Sequence, residues 1–453
     1  MRRIGREGIW SVVWSTLAVC AILLGCTGAV AETEDMKALK RKNAELQKRV
    51  EKLEATIGKL LKDTPEKNSE KAVNRAVDKA LAKLEARNAK AKPPVRSKYP
   101  IDLYGFVKLD ASYDLSRTSV GNFARWVESE TGRGKDDHFN MTARQSRVGL
   151  KMNGPDVAGT KTNGLVEIDF YGGGMENKNI PFMRHAYVQV DWPEHDFSLL
   201  AGQTWDVIAP LNPSTLNYSV QWWAGNLGYR RPQIRLTKGF KMGDTRLVWQ
   251  GAVARAIGHQ TGFDPGDSGE DAGFPHFQTR VAYSFPLLTK KHTTIGVSGH
   301  WGQEEWDLDA FDNARSYDSW SICMDATVPI MDKVAVKGEF WHGENLDAYL
   351  GGIAQGVNVA LRRRVESTGG WGAVSLGPFD KLTFNIGASV DDPNNYDISR
   401  GGRALNRALF SNVLYDLTDA VKLGFELSYW DTPYKDIEDA DSWRFQTSLI
   451  YKF

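Results

Sequence analysis

The residues of this chain best suited to chemistry are basic. In Tyr229-Arg230-Arg231-Pro232-Gln233-Ile234-Arg235-Leu236, Pro232, Ile234 and Leu236 share one parity and Arg231, Gln233 and Arg235 the other. Successive side chains of a strand leave opposite faces, so two guanidiniums and an amide would share one surface. Arg144, Arg147, Arg184, Arg246 and Arg280 can join them from neighbouring segments. A guanidinium is a permanently charged, forked donor that suits carboxylates and other anions. A unit pair 4 Å apart is worth about 1 kcal/mol in water and about 4 kcal/mol where the dielectric falls. Equally, these arginines can pair with Asp110, Glu167 and Asp169 across a shared interior, and the two arrangements can coexist.

No second constellation competes with this one. The chain has no G-x-S-x-G elbow, no H-E-x-x-H and no P-loop, and Gly172, Gly173 and Gly174 have no phosphate-cradling spacing. Its eight histidines are scattered, with no pair at metal-ligand spacing. The acidic segment 264–271 could bind a divalent ion, but its spacing is not that of an EF-hand and it reads first as a solvated loop. Catalysis, a metal and a cofactor are therefore not expected. With 57 basic and 56 acidic side chains, nucleic acid is not an expected partner either. Of the three cysteines, Cys20 lies in an export signal, Cys26 is lost or lipidated, and Cys323 is left without a disulfide partner.

The elements that must hold these residues show most clearly in 443–453. Trp443, Phe445, Thr447, Leu449, Tyr451 and Phe453 fall on one parity, and Arg444, Gln446, Ser448 and Lys452 on the other, with Ile450 the one apolar intruder. Such alternation predicts a barrel strand with a lipid face and a wet face. The opposite register would set Arg444 and Lys452 against acyl chains, at about 2–4 kcal/mol for a midplane position. The same texture runs from position 101 onward. Leu103, Val107 and Leu109 oppose Lys108 and Asp110, Val166 and Ile168 oppose Glu167 and Asp169, and Val421, Leu423 and Phe425 oppose Lys422 and Glu426. Counting these segments predicts an all-β transmembrane barrel of about 16 antiparallel strands over 100–453.

Connections alternate in length. Tight turns are expected at 193–196, 331–333, 377–380 and 417–419, and long loops at 116–138, 206–228, 257–275 and 343–363. Short turns belong on the periplasmic rim of such barrels and long loops on the outer rim. The parity of Phe139, Met141 and Ala143 reverses at Val148, Leu150 and Met152, which predicts a bulge turning both Arg144 and Arg147 inward; a misread strand start is the alternative. The 206–228 loop carries Asn212, Pro213, Asn217, Trp222 and Trp223 and is almost uncharged after Asp206. It can fold inward to narrow a channel, or its aromatics can pack on the wall.

Ahead of the barrel, Arg2, Arg3 and Arg6, a largely apolar 9–24 and Ala29-Val30-Ala31 predict a signal peptide over 1–31. Leu23-Leu24-Gly25-Cys26 offers a rival, acylation at Cys26. A heptad follows over 32–63, with Met36, Asn43, Val50 and Ile57 at a and Leu39, Leu46, Leu53 and Leu60 at d. It predicts a coiled coil of about 40 Å. Its a and d residues lean toward a parallel dimer. A second helix and the Lys92-Pro93-Pro94-Val95 spacer complete 64–99.

Exported chain, coiled-coil prefix and barrel together resemble the DcaP-like trimeric outer-membrane porins of Gram-negative bacteria. The likeness is carried by Ile101-Asp102-Leu103-Tyr104-Gly105-Phe106-Val107, Ala201-Gly202-Gln203-Thr204-Trp205 and Gly228-Tyr229-Arg230-Arg231-Pro232-Gln233-Ile234-Arg235. It implies a trimer with its helices joined in the periplasm, at odds with the dimer leaning of the coil. It also implies passive uptake of small anionic solutes, dicarboxylates among them. Phe453, with aromatics two, eight and ten residues earlier, resembles the signal read by the outer-membrane assembly machinery. Lipopolysaccharide is the expected surrounding. The rival readings are an outer-membrane enzyme barrel and a plugged structural or adhesive barrel.

Overall fold

The computed structural model describes residues 98–131, 134–173, 178–257, 269, 272–307 and 314–453. The expected signal peptide (1–31), the coiled coil (32–63), almost all of the second helix and linker (64–99), and all but Gly269 of the acidic segment 264–271 lie outside the described residues.

The described chain forms β1 (Ile101–Asp114), β2 (His138–Thr142, continued by Arg147–Asn153), β3 (Lys161–Asp169), β4 (Phe182–Trp192), β5 (Phe197–Trp205), β6 (Arg230–Met242), β7 (Thr245–Ala254) and β8 (His276–Pro286). There follow β9 (His292–Asp307), β10 (Ala314–Met331), β11 (Val334–Glu344), β12 (Glu366–Phe379), β13 (Leu382–Pro393), β14 (Asn406–Asp416), β15 (Val421–Thr432) and β16 (Ala440–Lys452). Each strand pairs antiparallel with its sequence neighbours. β16 returns to β1, from Phe106 opposite Lys452 to Asp114 opposite Arg444, so the 16 strands close. Closure satisfies every edge, a necessity where lipid offers no hydrogen bonds.

Burial is inverted relative to a water-soluble fold. On β6, Ile234 is 59% exposed while Arg231 is fully buried. On β16, Trp443, Phe445, Leu449 and Tyr451 are exposed, whereas Arg444, Gln446 and Ser448 are buried. Register keeps like with like, because Ile234 lies beside Ala201 of β5 and Val253 of β7. The alternation read from the sequence is thus the inside–outside pattern of the wall.

β2 carries the expected bulge. Thr142 pairs with Asp110 and Arg147 with Phe106, so one more residue lies on β2 than on β1 between these pairs. The extra residue closes a turn from Ser146 N to Ala143 O, and Ser146 Oγ accepts from Lys108 N at 3.0 Å. Parity flips there, which leaves both Arg144 and Arg147 on the inner side.

The short connections share one rim. Pro193–His195 is a 3-10 turn ended by left-handed Asp196, and Met331 pairs with Val334 across the β10–β11 turn. One expected turn moves. Phe379 pairs with Leu382, so that hairpin turns at Asp380 and Lys381, not at 377–380, because Gly377 and Pro378 still belong to β12.

Candidate functional site

The loop of residues 206–229 folds into the barrel. Asp206 anchors its base: Oδ1 lies 2.8 Å from Arg231 Nε and accepts from Gln278 Nε2 at 2.7 Å, while Oδ2 accepts from Tyr229 N at 2.8 Å. From there the loop follows the inner wall. Val207 N donates to Gln278 of β8, Ala209 N to Ser298 of β9, and Leu211 N to Glu339 Oε1 of β11 at 2.6 Å. Lys337 Nζ donates to Asn212 O at 2.6 Å, and Asn412 Nδ2 of β14 to Ser214 O at 2.7 Å. Leu216 N and Asn217 N donate to Glu426 of β15, and Lys108 Nζ of β1 donates to Leu216 O. Tyr218 OH reaches Asp169 Oδ2 of β3 at 3.1 Å.

This path has a simple physical cause. A segment almost without charged side chains brings bare amides and carbonyls into the lumen, and buried backbone groups must be paired. The wall supplies the charges, and hydrogen bonds to charged groups are worth about 1.5–3 kcal/mol each. Gly424 of β15 completes the seat, because a Cβ there would stand 2.7 Å from the Leu216 side chain. Non-glycine residues Ala209, Val220, Gln221 and Trp223 all hold positive φ in this loop. Such strained backbone persists only where its surroundings over-determine it.

The 345–365 loop backs the first. Trp223 N donates to Leu350 O and Gly228 N to Tyr349 O, both at 2.8 Å. Buried Tyr349 lies under the Arg231 guanidinium, whose Cζ is 3.8 Å from the ring centroid, and its hydroxyl meets His276 Nδ1 at 2.9 Å. His276 and His300 lie with ring centroids 5.9 Å apart, so two histidines distant in sequence meet in one packed polar cluster.

Each basic residue singled out in the sequence can now be placed. Arg144 is buried and bonds Phe170 O, Asn122 Oδ1 and Lys178 O, with its Cζ 4.8 Å from the Tyr171 ring. Arg235, half-buried, bonds Gln233 Oε1 and Trp205 O. Neither has a carboxylate within ion-pair distance among the described residues. The other five take the ion-paired alternative. Arg231 is enclosed with Asp206, its side chain 0% exposed. Arg147 lies 3.4 Å from Glu167, which also holds Arg184 at 2.8 Å. Arg280 forks onto Asp325 at 2.9 and 2.6 Å. Arg246 pairs with Asp196, a short-turn residue, and so sits at the rim away from the inserted loop.

Among the expected counter-charges, Asp169 pairs with Arg184, and Asp110 pairs with Lys108 at 3.1 Å in place of an arginine. Of the loop candidates, Asn217 exchanges two hydrogen bonds with the backbone of Ala124, and Asn212 Oδ1 accepts from Asn226. Trp222 packs 5.8 Å from Trp205 and 6.3 Å from Trp223. The loop therefore folds inward and packs its aromatics as well. Sequence reasoning did not single out Lys108, Lys337, Glu339 and Glu426 as loop anchors. Their signal was present as charge on the inward parity, but nothing in the sequence tells an anchor from a solvated lining residue.

A closed antiparallel barrel with an apolar outer face, a polar interior and one loop folded inside defines an integral outer-membrane β-barrel protein. Residues 24–231 match the family described as DcaP outer membrane protein. Its fold is similar to the crystal structure of the outer membrane channel DcaP of Acinetobacter baumannii, 18% identical with a TM-score of 0.62, covering 79% of this chain and 99% of that one. It is also similar to OprB of Pseudomonas putida in its high-pH structure, 9% identical, TM-score 0.52, covering 78% and 94%. The anion-selective porin from Comamonas acidovorans is 12% identical, TM-score 0.50, covering 79% and 100%. No curated protein matches the chain.

Proposed function

We propose that this protein is a trimeric porin, a passive channel for small hydrophilic solutes with a bias toward anions such as dicarboxylates. The observation that carries the bias is that Arg144 and Arg235 are held by carbonyl and amide oxygens and not by carboxylates. Such partners orient a guanidinium without cancelling its charge, so the field of these two arginines stays available to a passing anion. The paired arginines Arg147, Arg231, Arg246 and Arg280 contribute orientation and stability more than net field. The constriction is the 206–229 loop with Asp206, Asn212, Asn217, Trp222 and Trp223.

In this reading residues 1–31 are an export signal, cleaved after Ala31 or replaced by acylation at Cys26, and the 32–63 coil joins subunits in the periplasm. Phe453 serves as the assembly signal, and lipopolysaccharide surrounds the outer half of the wall. The test is the zero-current potential of the purified protein in a planar bilayer under a KCl gradient. Arg144→Gln combined with Arg235→Gln is expected to move it toward cation preference; an unmoved potential removes these residues from the account.

A second reading has its own observation. The inserted loop touches the wall from β8 round to β3 and is backed by a second loop, an arrangement that also suits a closed plug. A protein that inserts in bilayers yet shows no single-channel current would favour it.

A further inference from the structure

Where the long loops meet, two arginines outside the constriction converge on one ring. Arg125 of the 115–137 loop and Arg403 of the 394–405 loop each place Cζ 4.3 Å from the centroid of the Trp126 ring. Their charges are thus separated by no more than twice that distance. Arg125 also lies 5.1 Å from the ring of Trp223, on the inserted loop.

The pair is built into place. Asn406 Nδ2 donates to both Arg125 O and Trp223 O at 2.7 Å, tying the first long loop to the inserted one. Val127 N donates to Thr432 Oγ1 at 3.0 Å. Arg403 Nε donates to Ile353 O at 2.8 Å, and Gln355 brackets the Arg403 backbone with two hydrogen bonds. Four loops therefore converge on one spot, and none of them supplies a carboxylate within ion-pair distance among the described residues. Glu128 and Asp391 act only from farther away. Burial and then the neighbouring Arg403 push the Arg125 guanidinium down to about 10, against the pull of Glu128, so the two cations repel each other. Arg125 Nε bonds Ser119 Oγ, which leaves its two terminal nitrogens, and Nη1 of Arg403, without a protein acceptor among the described residues.

We infer that Arg125 and Arg403, with the indoles of Trp126 and Trp223, form a capture site at the loop-side mouth for solutes that carry a carboxylate on a planar ring. A charge-assisted N–H···O bond spans about 2.8 Å, and a carboxylate accepting from the terminal nitrogens of both guanidiniums would offset their mutual repulsion. Buried Trp126 packs edge-to-face on half-buried Trp223, 6.5 Å apart at 83°, so the part-open Trp223 ring is the apolar flank that can meet an aromatic body. This inference rests on the anion-biased porin reading and adds a site upstream of the inserted loop.

The experiment is benzoate block of single-channel KCl current, with benzoate added to the loop side and on-rates normalised to each variant's own KCl conductance. Arg125→Gln with Arg403→Gln is expected to lower the benzoate on-rate about tenfold, the scale of electrostatic steering. Neutral benzamide should act equally weakly on both proteins. Should the double variant not insert, the single changes R125Q and R403Q are each expected to lower it about threefold. A conducting wild type whose benzoate on-rate is unmoved by these changes overturns the capture site alone. A wild type that conducts no KCl current overturns the porin reading and this site with it.

Discussion

The amide of Leu216 donates to Glu426 Oε2 at 2.6 Å across 210 positions of sequence, and the carbonyl of the same residue accepts from Lys108 Nζ at 2.9 Å. One residue of the inserted loop is thus clamped between an acid on β15 and a base on β1. Glu426→Ala leaves the amides of Leu216 and Asn217 without that acceptor. At about 1.5–3 kcal/mol for a hydrogen bond to a charged group, the loop should detach from this stretch of wall. Larger and noisier single-channel conductance is the expected readout, and a trace matching wild type would show that the anchor lies elsewhere.

Gly225 offers an independent handle on the same loop. Its φ is +120°, and an added Cβ would stand 2.3 Å from Gly370 O and 2.6 Å from Val390 O. Both atoms are backbone and cannot swing aside. Gly225→Ala should therefore push the loop off β12 and β13 and lengthen the Trp341 Nε1 to Gly225 O hydrogen bond, now 2.7 Å. Trp fluorescence and conductance should shift together; a change in neither would mean that the backbone yields at no cost.

Two arginine pairs predict opposite sensitivities. Arg280 and Asp325 are largely enclosed, with side chains 12% and 2% exposed. Removing one partner of such a pair costs about 3–5 kcal/mol, so Arg280→Gln should lower the unfolding midpoint in urea and detergent markedly. Arg246 and Asp196 are 45% and 30% exposed, and an exposed pair is worth at most about 1 kcal/mol. Arg246→Gln should be nearly silent, and equal losses in the two variants would contradict this assignment of burial.

Wall parity is open to direct attack. Ile234→Arg puts a charge on the lipid face at about 2–4 kcal/mol for a midplane site, whereas Thr237→Arg, three residues along β6 on the inner side, meets water and polar neighbours. Folding yield into detergent or liposomes should fall for the first and not for the second. Equal yields would mean that β6 does not face lipid through Ile234.

Inside and outside were legible in the sequence because the choice between hydrocarbon and water is made residue by residue at period two. Trp443 and Arg444 take opposite faces whatever their partners. The bulge between Ala143 and Val148 was legible for the same reason, as a break in that period. Which arginines keep an unpaired charge was not legible. Arg231 is enclosed with Asp206 and Arg280 with Asp325, while Arg144 and Arg235 meet only neutral oxygens. An ion pair needs contact within a few ångströms. Strand register, barrel closure and an inserted loop decide that contact, and spacing along the chain does not. Period-two patterning specifies the wall, and the folded barrel sets what its charges do.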